Sequence, residues 1–333
     1  MEFSAISHFD QPLDAPYEGM IKSKQCLSDS LGVALRGFNS GGNSSENMQK
    51  LCDSLSRLRK TSTASEWDSV KAVCQAHPLF KVIQEDPLSR RIYEKPRGYA
   101  GDARMMDLIY KTARPSGASD TGQRVYEFIT DRNCARGARA RKERLADLLH
   151  TTIREHEAPE ILSVACGHMR ETQLLSTKQL SRANRIVAFD QDEESLAEVS
   201  RSMRGCEALS IVPGSVRRLI AGRHELGSFD LIYSLGLYDY LEQPIARRLT
   251  QVLFDALNPG GRLVIANFLP NDSSGFMEAF LDWDLIYRTK QEIMDIAVEL
   301  NEGTISSKSY SGERTGTIGF LELTKAPTNA AAA

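Results

Sequence analysis

From Ala158 to about residue 300 the chain alternates short apolar, β-rich runs with segments of helical period, and no other feature narrows the fold as far. The runs are ILSVAC, RIVAFD, ALSIV, FDLIYSL and GRLVIANFL. They are apolar nearly throughout, as strands buried on both faces are. Helices are expected between and after them, at Glu171 to Leu180, Glu193 to Met203, Val216 to Gly222, Pro244 to Leu257 and Thr289 to Leu300. Strands separated in this way imply a parallel sheet covered by helices on both sides. The closing stretch TISSKSYSGERTGTIGFLELTK reads as two strands joined by a Gly-containing turn, which would add an antiparallel edge.

The first half has a different texture. Residues 1–45 show little periodicity and end in the Gly/Ser/Asn cluster GFNSGGNSSEN, the pattern of a flexible arm. Apolar residues then recur at helical spacing from Met48 to about Leu58 and from Glu66 to Cys74. A helix is expected from Asp102 to about Lys111 and, after the break ARPSGASDTG, a long helical segment from Gly122 to His150. The expected division is an N-terminal arm (1–45), a helical lid and substrate-binding domain (46–154), a sheet domain (155–325) and a disordered tail (326–333).

Composition excludes several classes. The formal charge of -3 gives no overall attraction to nucleic acid or an anionic membrane. The six cysteines lack any C-x-x-C pair, which fits reduced thiols and neither a disulfide frame nor a metal site. The start MEFSAISHFDQPLD has no basic flank followed by an apolar core, and no apolar run is long enough to span a bilayer, so a cytoplasmic location is expected.

The chemistry-bearing motifs lie at the strand ends. ILSVACGHMRETQLL is a strand, a tight turn and a helix, the place where a doubly wound fold presents backbone N–H groups to a ligand. Gly167 is the one glycine of that turn, so the G-x-G-x-x-G pyrophosphate cradle is absent. RIVAFDQDEE ends in Asp190, roughly 20 residues beyond the turn, where an acid can accept from both ribose hydroxyls. Gly214, Ser215 and Val216 in PGSVRRL could flank a base, although an ordinary turn explains them nearly as well. Small residues open the end of the fourth strand in FDLIYSLGLYDYL, at Ser234 and Gly236.

Taken together, ILSVACGHMRE, the acid of VAFDQD, FDLIYSLGLYDYL and LNPGGRLVIANF resemble the class I S-adenosylmethionine-dependent methyltransferases over residues 155 to 325. The resemblance implies a Rossmann-like seven-stranded sheet with an antiparallel last strand, S-adenosylmethionine as cofactor and S-adenosylhomocysteine as product. It implies cofactor contacts at Tyr99, Ala165, Gly167, His168, Asp190, Gln191, Gly214, Ser215, Val216, Ser234 and Leu235. The turn departs from the glycine-rich family pattern at Ala165 and Met169.

YEKPRGYAGDARMMDLIY resembles the lid of a bacterial subgroup that pairs it with an A-C-G-H-x-R-E turn, including enzymes that make 3-hydroxy fatty acid methyl esters as quorum-sensing signals. In this segment Pro96 biases Lys95 towards an extended backbone, Gly98 and Gly101 permit unusual dihedrals, and Asp102 can cap the following helix. Arg97 and Tyr99 are read as projecting towards cofactor or substrate. Asn267, at the end of the fifth strand, and Trp283, Tyr287 and Arg288, in GFMEAFLDWDLIYRTKQE, are candidates for the acceptor site, although Phe276, Phe280, Trp283 and Tyr287 also fit a structural helical stripe. The basic run RNCARGARARKERLADLL is read as a solvated face, or else as a surface for an anionic substrate or an acyl carrier protein.

Methyl transfer from a sulfonium needs chiefly an aligned acceptor and exclusion of water. The expected reaction is carboxyl O-methylation of a small molecule, a 3-hydroxy fatty acid in the first instance, with Arg97, Tyr99, Tyr238 and Arg288 as candidate catalytic residues and Arg97, Tyr238, Asn267, Trp283, Tyr287 and Arg288 as substrate contacts. For an amine or phenol acceptor, Tyr238, Asp239 or His168 could take the proton. The alternatives are N- or O-methylation in a natural-product pathway and a non-catalytic module that only binds S-adenosylmethionine. A nucleic-acid substrate is disfavoured by the charge and by Ser234-Leu235-Gly236-Leu237, where a base-flipping enzyme would carry N-P-P-[YF].

Overall fold

The computed structural model describes residues 15–39, 44–113, 115–224 and 226–327. Among these, eight helices precede the sheet: α1 Ala15–Asn39, α2 Ser44–Thr61, α3 Ala64–Ala76, α4 Pro78–Ile83, α5 Pro87–Glu94, α6 Ala103–Ile109, α7 Asp120–Asp131 and α8 Asn133–Glu155. Local chemistry sets their ends. Thr63 and Glu66 form a capping box on α3, and Asp86 and Asp102 accept backbone N–H groups at the starts of α5 and α6.

Three expectations for this half are corrected. Residues 15–39 form a helix and not a flexible arm; Leu27, Leu31, Ala34 and Phe38, spaced by four, three and four, are buried in the helical core. Residues 1–14 of that arm lie outside the described residues, as do 328–333 of the expected tail. The segment from Gly122 to His150 is two helices, parted at Arg132, whose backbone is extended. Lys95 is left-handed (φ 48°) and not extended, because it ends α5, and its ammonium pairs with Asp282.

The sheet contains β1 Glu160–Val164, β2 Arg185–Asp190, β3 Leu209–Pro213, β4 Phe229–Ser234, β5 Leu257–Phe268, β6 Ile305–Gly312 and β7 Ile318–Lys325. Their order is β3-β2-β1-β4-β5-β7-β6. β1 pairs in parallel with both β2 and β4, so the strand order reverses there and a crevice opens at the carboxyl ends. β7 is antiparallel to both β5 and β6, and therefore lies inside the sheet with β6 at the edge. The closing hairpin thus adds the expected antiparallel edge, with β7 on its inner side. The reason is composition: IGFLELTK is apolar and gains from two neighbours, whereas the polar, largely exposed ISSKSYSG tolerates an edge.

Six helices follow in the α/β half: α9 Thr177–Leu180, α10 Glu193–Ser202, α11 Val216–Ile220, α12 Gln243–Asp255, α13 Ser274–Leu281 and α14 Lys290–Met294. Separate apolar clusters fill the two faces of the sheet, and a third occupies the helical half. α13, which follows β5, joins that third cluster. Its Phe276 and Phe280 stack at 5.2 Å, and its buried Glu278 accepts from Arg59 at 2.6 Å and Trp67 at 2.7 Å. The helical half is thereby fastened to the segment that follows β5.

Candidate functional site

The turn after β1 is built on left-handed backbone at alternate residues: φ is 52° at Ala165, 54° at Gly167 and 46° at Met169. A non-glycine residue held there costs roughly 1–2 kcal/mol, so the two departures from the glycine-rich pattern change residue type without changing the turn. The Gly167 N–H donates to Asp190 Oδ2 at 2.8 Å, and the Asp192 N–H to Asp190 Oδ1 at 2.9 Å. Burial pushes the Asp190 carboxyl up, against these backbone donors. Each oxygen keeps lone-pair capacity for a further donor.

The segment around α6 packs against this turn from the other side. The Arg97 guanidinium donates to Asp192 and Glu194, both at 2.6 Å, on the first turn of α10. Asp107 of α6 accepts from Arg170 at 2.6 and 2.7 Å, and its Oδ2 lies 2.9 Å from His168 Nδ1. Burial raises the Asp107 carboxyl, but these partners outweigh it and hold it at about 2. With Nδ1 turned to a carboxylate, His168 Nε2 is left buried and without a partner.

Two spaces meet here. A cleft of about 780 Å³ runs along the carboxyl ends of the strands, past Tyr99, the Ala165–Met169 turn, Asp190, Gln191, Gly214, Ser215, Val216, Tyr233 and Leu235. Behind it a small apolar chamber lies between the helical half and α13, walled by Ile109, Ile129, Ala138, Phe268, Phe276 and Trp283. Gly101, Met106, Arg141, Gly236 and Tyr240 border both spaces. Gly101 is required by close approach, since a Cβ there would lie 2.2 Å from the Tyr240 hydroxyl, which accepts from Trp283 Nε1 at 2.8 Å.

Arg141 is the charged group of this junction. It is 4% exposed, donates to the Leu235 carbonyl and, at 3.5 Å, to the Tyr110 hydroxyl, and its Nε has no partner. Among the described residues no carboxylate forms an ion pair with it. Although burial alone would favour its neutral form, the neighbouring Tyr110 and Asp239 keep the guanidinium charged. Asp239, buried on the chamber wall, is pushed up to about 6 by burial, against the Phe268 N–H and the positive charges of Arg141 and Arg288.

Of the residues expected at a cofactor site, Tyr99, Ala165, Gly167, His168, Asp190, Gln191, Gly214, Ser215, Val216 and Leu235 all border the cleft. Ser234 does not: its hydroxyl donates to the Val164 carbonyl at 3.0 Å and sews β4 to β1. The acceptor-side expectations need more correction. Tyr238 is fully buried, with its hydroxyl 2.9 Å from Thr250, facing the core beneath the sheet. Arg288 is 2% exposed and donates to Gln243, Asn267 and the carbonyls of Tyr238 and Leu241, so it staples loops together. Asn267 is that staple's partner and also bonds the carbonyls of Phe268 and Ile286. Tyr287 borders neither space, whereas Trp283 lines the chamber. Arg97 lines the cleft with its guanidinium already committed to two carboxylates, which removes it as a substrate clamp.

The basic run on α8 is not a solvated face. Arg132 bonds Ser273 and Gln49, Arg139 donates to the Ile109 and Thr130 carbonyls, and Arg144 pairs with Glu322 over the Phe320 ring. Arg141 could have been found in the sequence. It falls on the buried stripe Ala138, Arg141, Leu145, Leu149, where a charge among apolar residues at helical spacing marks an inward-facing cation.

Residues 161–261 match the family model described as a methyltransferase domain. The whole fold is similar to that of a "possible exported protein" from Bordetella parapertussis, with a TM-score of 0.56, 16% identity, and coverage of 95% of this chain and 100% of that one. More distant likenesses include the N-methyltransferase NodS from Bradyrhizobium japonicum (TM-score 0.41, 14% identity, 56% of this chain and 97% of that one). Another is the magnesium protoporphyrin IX methyltransferase from Synechocystis (TM-score 0.43, 11% identity, 58% and 87%). No curated protein matches the sequence. The matched segment and the sheet order agree: residues 161–261 carry a methyltransferase domain, set in a seven-stranded sheet whose first two strand ends, with the acid at the end of β2, border the cleft.

Proposed function

We propose that this protein methylates a small, largely apolar molecule seated in the chamber, and that the reaction is carboxyl O-methylation, with a 3-hydroxy fatty acid as the leading acceptor. The observation that carries this reading is an apolar chamber that shares its wall at Gly101, Met106, Arg141, Gly236 and Tyr240 with the cleft, under a helical segment bonded to the start of α10 through Arg97 and to the turn after β1 through Asp107. Asp190 would hold the cofactor's ribose, the Ala165–Met169 turn its amino-acid end, and Gly214 to Val216 the base. Bound there, S-adenosylmethionine supplies a methyl group already activated by its sulfonium. The chain's own contribution is to align the acceptor and exclude water.

The unpartnered Nε2 of His168 favours a second reading, because an acceptor that must lose a proton, an amine or a phenol, could give it there. The deciding experiment incubates purified protein with labelled S-adenosylmethionine and a panel of 3-hydroxy fatty acids, aromatic acids, amines and RNA, and locates the label by mass spectrometry. Label in a base-labile ester supports the first reading, and label on nitrogen or a phenol supports the second. Tight cofactor binding with no product from any member would favour a module that binds without turning over. Asp190→Ala is the control, with cofactor affinity expected to fall on the order of 100-fold from two lost charge-assisted hydrogen bonds.

A further inference from the structure

Resting on that reading of the chamber as the acceptor site, we infer that Arg141 is an anion-recognition residue, which selects acceptors carrying one carboxylate and sets that carboxylate at the mouth of the cleft with its apolar chain in the chamber. Three observations combine. The guanidinium is buried at 4% exposure and lacks a carboxylate partner, in contrast to Arg97, Arg132, Arg144 and Arg170, each of which has one. Its Nε is an unused donor. It also borders both spaces, with Gly236 leaving room beside it.

A buried cation without a counter-ion is costly unless something supplies the negative charge. Nearby Asp239 meets that need only in part: its charge favours the guanidinium, but its Oδ1 accepts the Phe268 N–H at 2.7 Å and it forms no ion pair with Arg141. A carboxylate entering from the chamber can take the free Nε–H, and the planar group suits such an acceptor. Apart from Arg132, Asp239, Tyr240 and Ser273, the chamber is walled largely by apolar side chains such as Ile109, Ile129 and Phe276, which suit an alkyl or aryl chain.

This arrangement has a chemical consequence. A carboxylate oxygen gives a lone pair to the methyl carbon as the carbon–sulfur bond breaks, its electron pair remaining on sulfur. One anion and one sulfonium become a neutral ester and a neutral thioether, and no proton is transferred. The ester no longer pairs with Arg141, so the residue that admits the acid releases the product.

Calorimetry on the full-length protein tests this directly, using a 3-hydroxy fatty acid, its primary amide and its methyl ester, each with and without S-adenosylhomocysteine. The acid is expected to bind at least about tenfold more tightly than either neutral analogue. In Arg141→Gln that preference should collapse towards unity, and Arg141→Lys, which keeps the charge without the fork, should recover only part of it. Labelled S-adenosylmethionine binding by each variant shows whether the cofactor cleft is intact. Equal binding of acid and amide by the unmutated protein, or full acid preference in a folded Arg141→Gln, would overturn the inference. Turnover of an amine or other uncharged acceptor would also overturn it while leaving the methyltransferase reading in place. Acid-selective binding with no methyl transfer would uphold the anion site and sink the proposed reaction.

Discussion

Nδ1 of His168 lies 2.9 Å from Asp107 Oδ2, so the turn after β1 is tied to the lid helix α6 through one buried carboxylate that Arg170 also grips. The folded carboxyl sits at about 2 against an ordinary 3.8, so the group stabilises the fold above the ordinary value and that contribution disappears as pH falls through the folded one. Asp107→Asn should lose about 2–4 kcal/mol at neutral pH, because Arg170 and His168 lose their shared anion. Urea unfolding at a series of pH values should show the gap between the two proteins closing from about 3.8 down to about 2. A gap independent of pH would show that the carboxylate's charge is not what joins lid and turn.

Ala165 and Met169 share a left-handed backbone but differ in what their side chains do. Ala165→Gly should stabilise the protein by about 0.5–1 kcal/mol, since the strain goes and little packing is lost. Met169 is 1% exposed within the sheet's apolar cluster, so Met169→Gly should instead cost about 2–4 kcal/mol despite the same relief. Denaturant midpoints of the two variants should therefore move in opposite directions.

Asp239 should show the reverse pH behaviour to Asp107. Its folded value, about 6, is above the ordinary 3.8, so the folded state holds the proton more tightly and stability falls as pH rises between those values. Asp239→Asn keeps an acceptor for the Phe268 N–H and removes the buried charge. It should be more stable than the unmutated protein by about 1–3 kcal/mol at neutral pH and no more stable in acid. Parallel melting curves across that range decide the matter; an unchanged pH profile in the variant would rule out Asp239 as the titrating group.

Arg288 separates a structural from a catalytic arginine. Four acceptors hold its guanidinium, at 2% exposure, away from both the cleft and the chamber. Arg288→Met should lose about 3–5 kcal/mol of stability by orphaning those acceptors, while the folded fraction keeps its kcat. Loss of turnover in a variant of unchanged melting temperature would return Arg288 to the reaction.

The sequence alone determined the architecture and most of the residues that border the cleft. Apolar runs of ILSVAC type carry their own signature, because strands buried on both faces have no polar positions to blur it. Gly167 and Asp190 were legible because each stands at a fixed offset from a strand end, where backbone geometry restricts the choice of residue. Asp102 was legible as a cap for the same local reason. The helix at 15–39 was obscured by Gly32, Gly37 and several serines, which weaken local propensity, although the spacing of Leu27, Leu31, Ala34 and Phe38 was already helical. What each arginine pairs with was decided only by tertiary structure. Helical spacing marks Arg141 as inward-facing, but it does not separate the three roles: Arg97 ties its loop to α10, Arg141 stands at the junction without a carboxylate and Arg288 staples loops. The difference arises from partners far away in the chain: whether a guanidinium is free depends on which carboxylates and carbonyls the fold brings to it, and no local pattern encodes that.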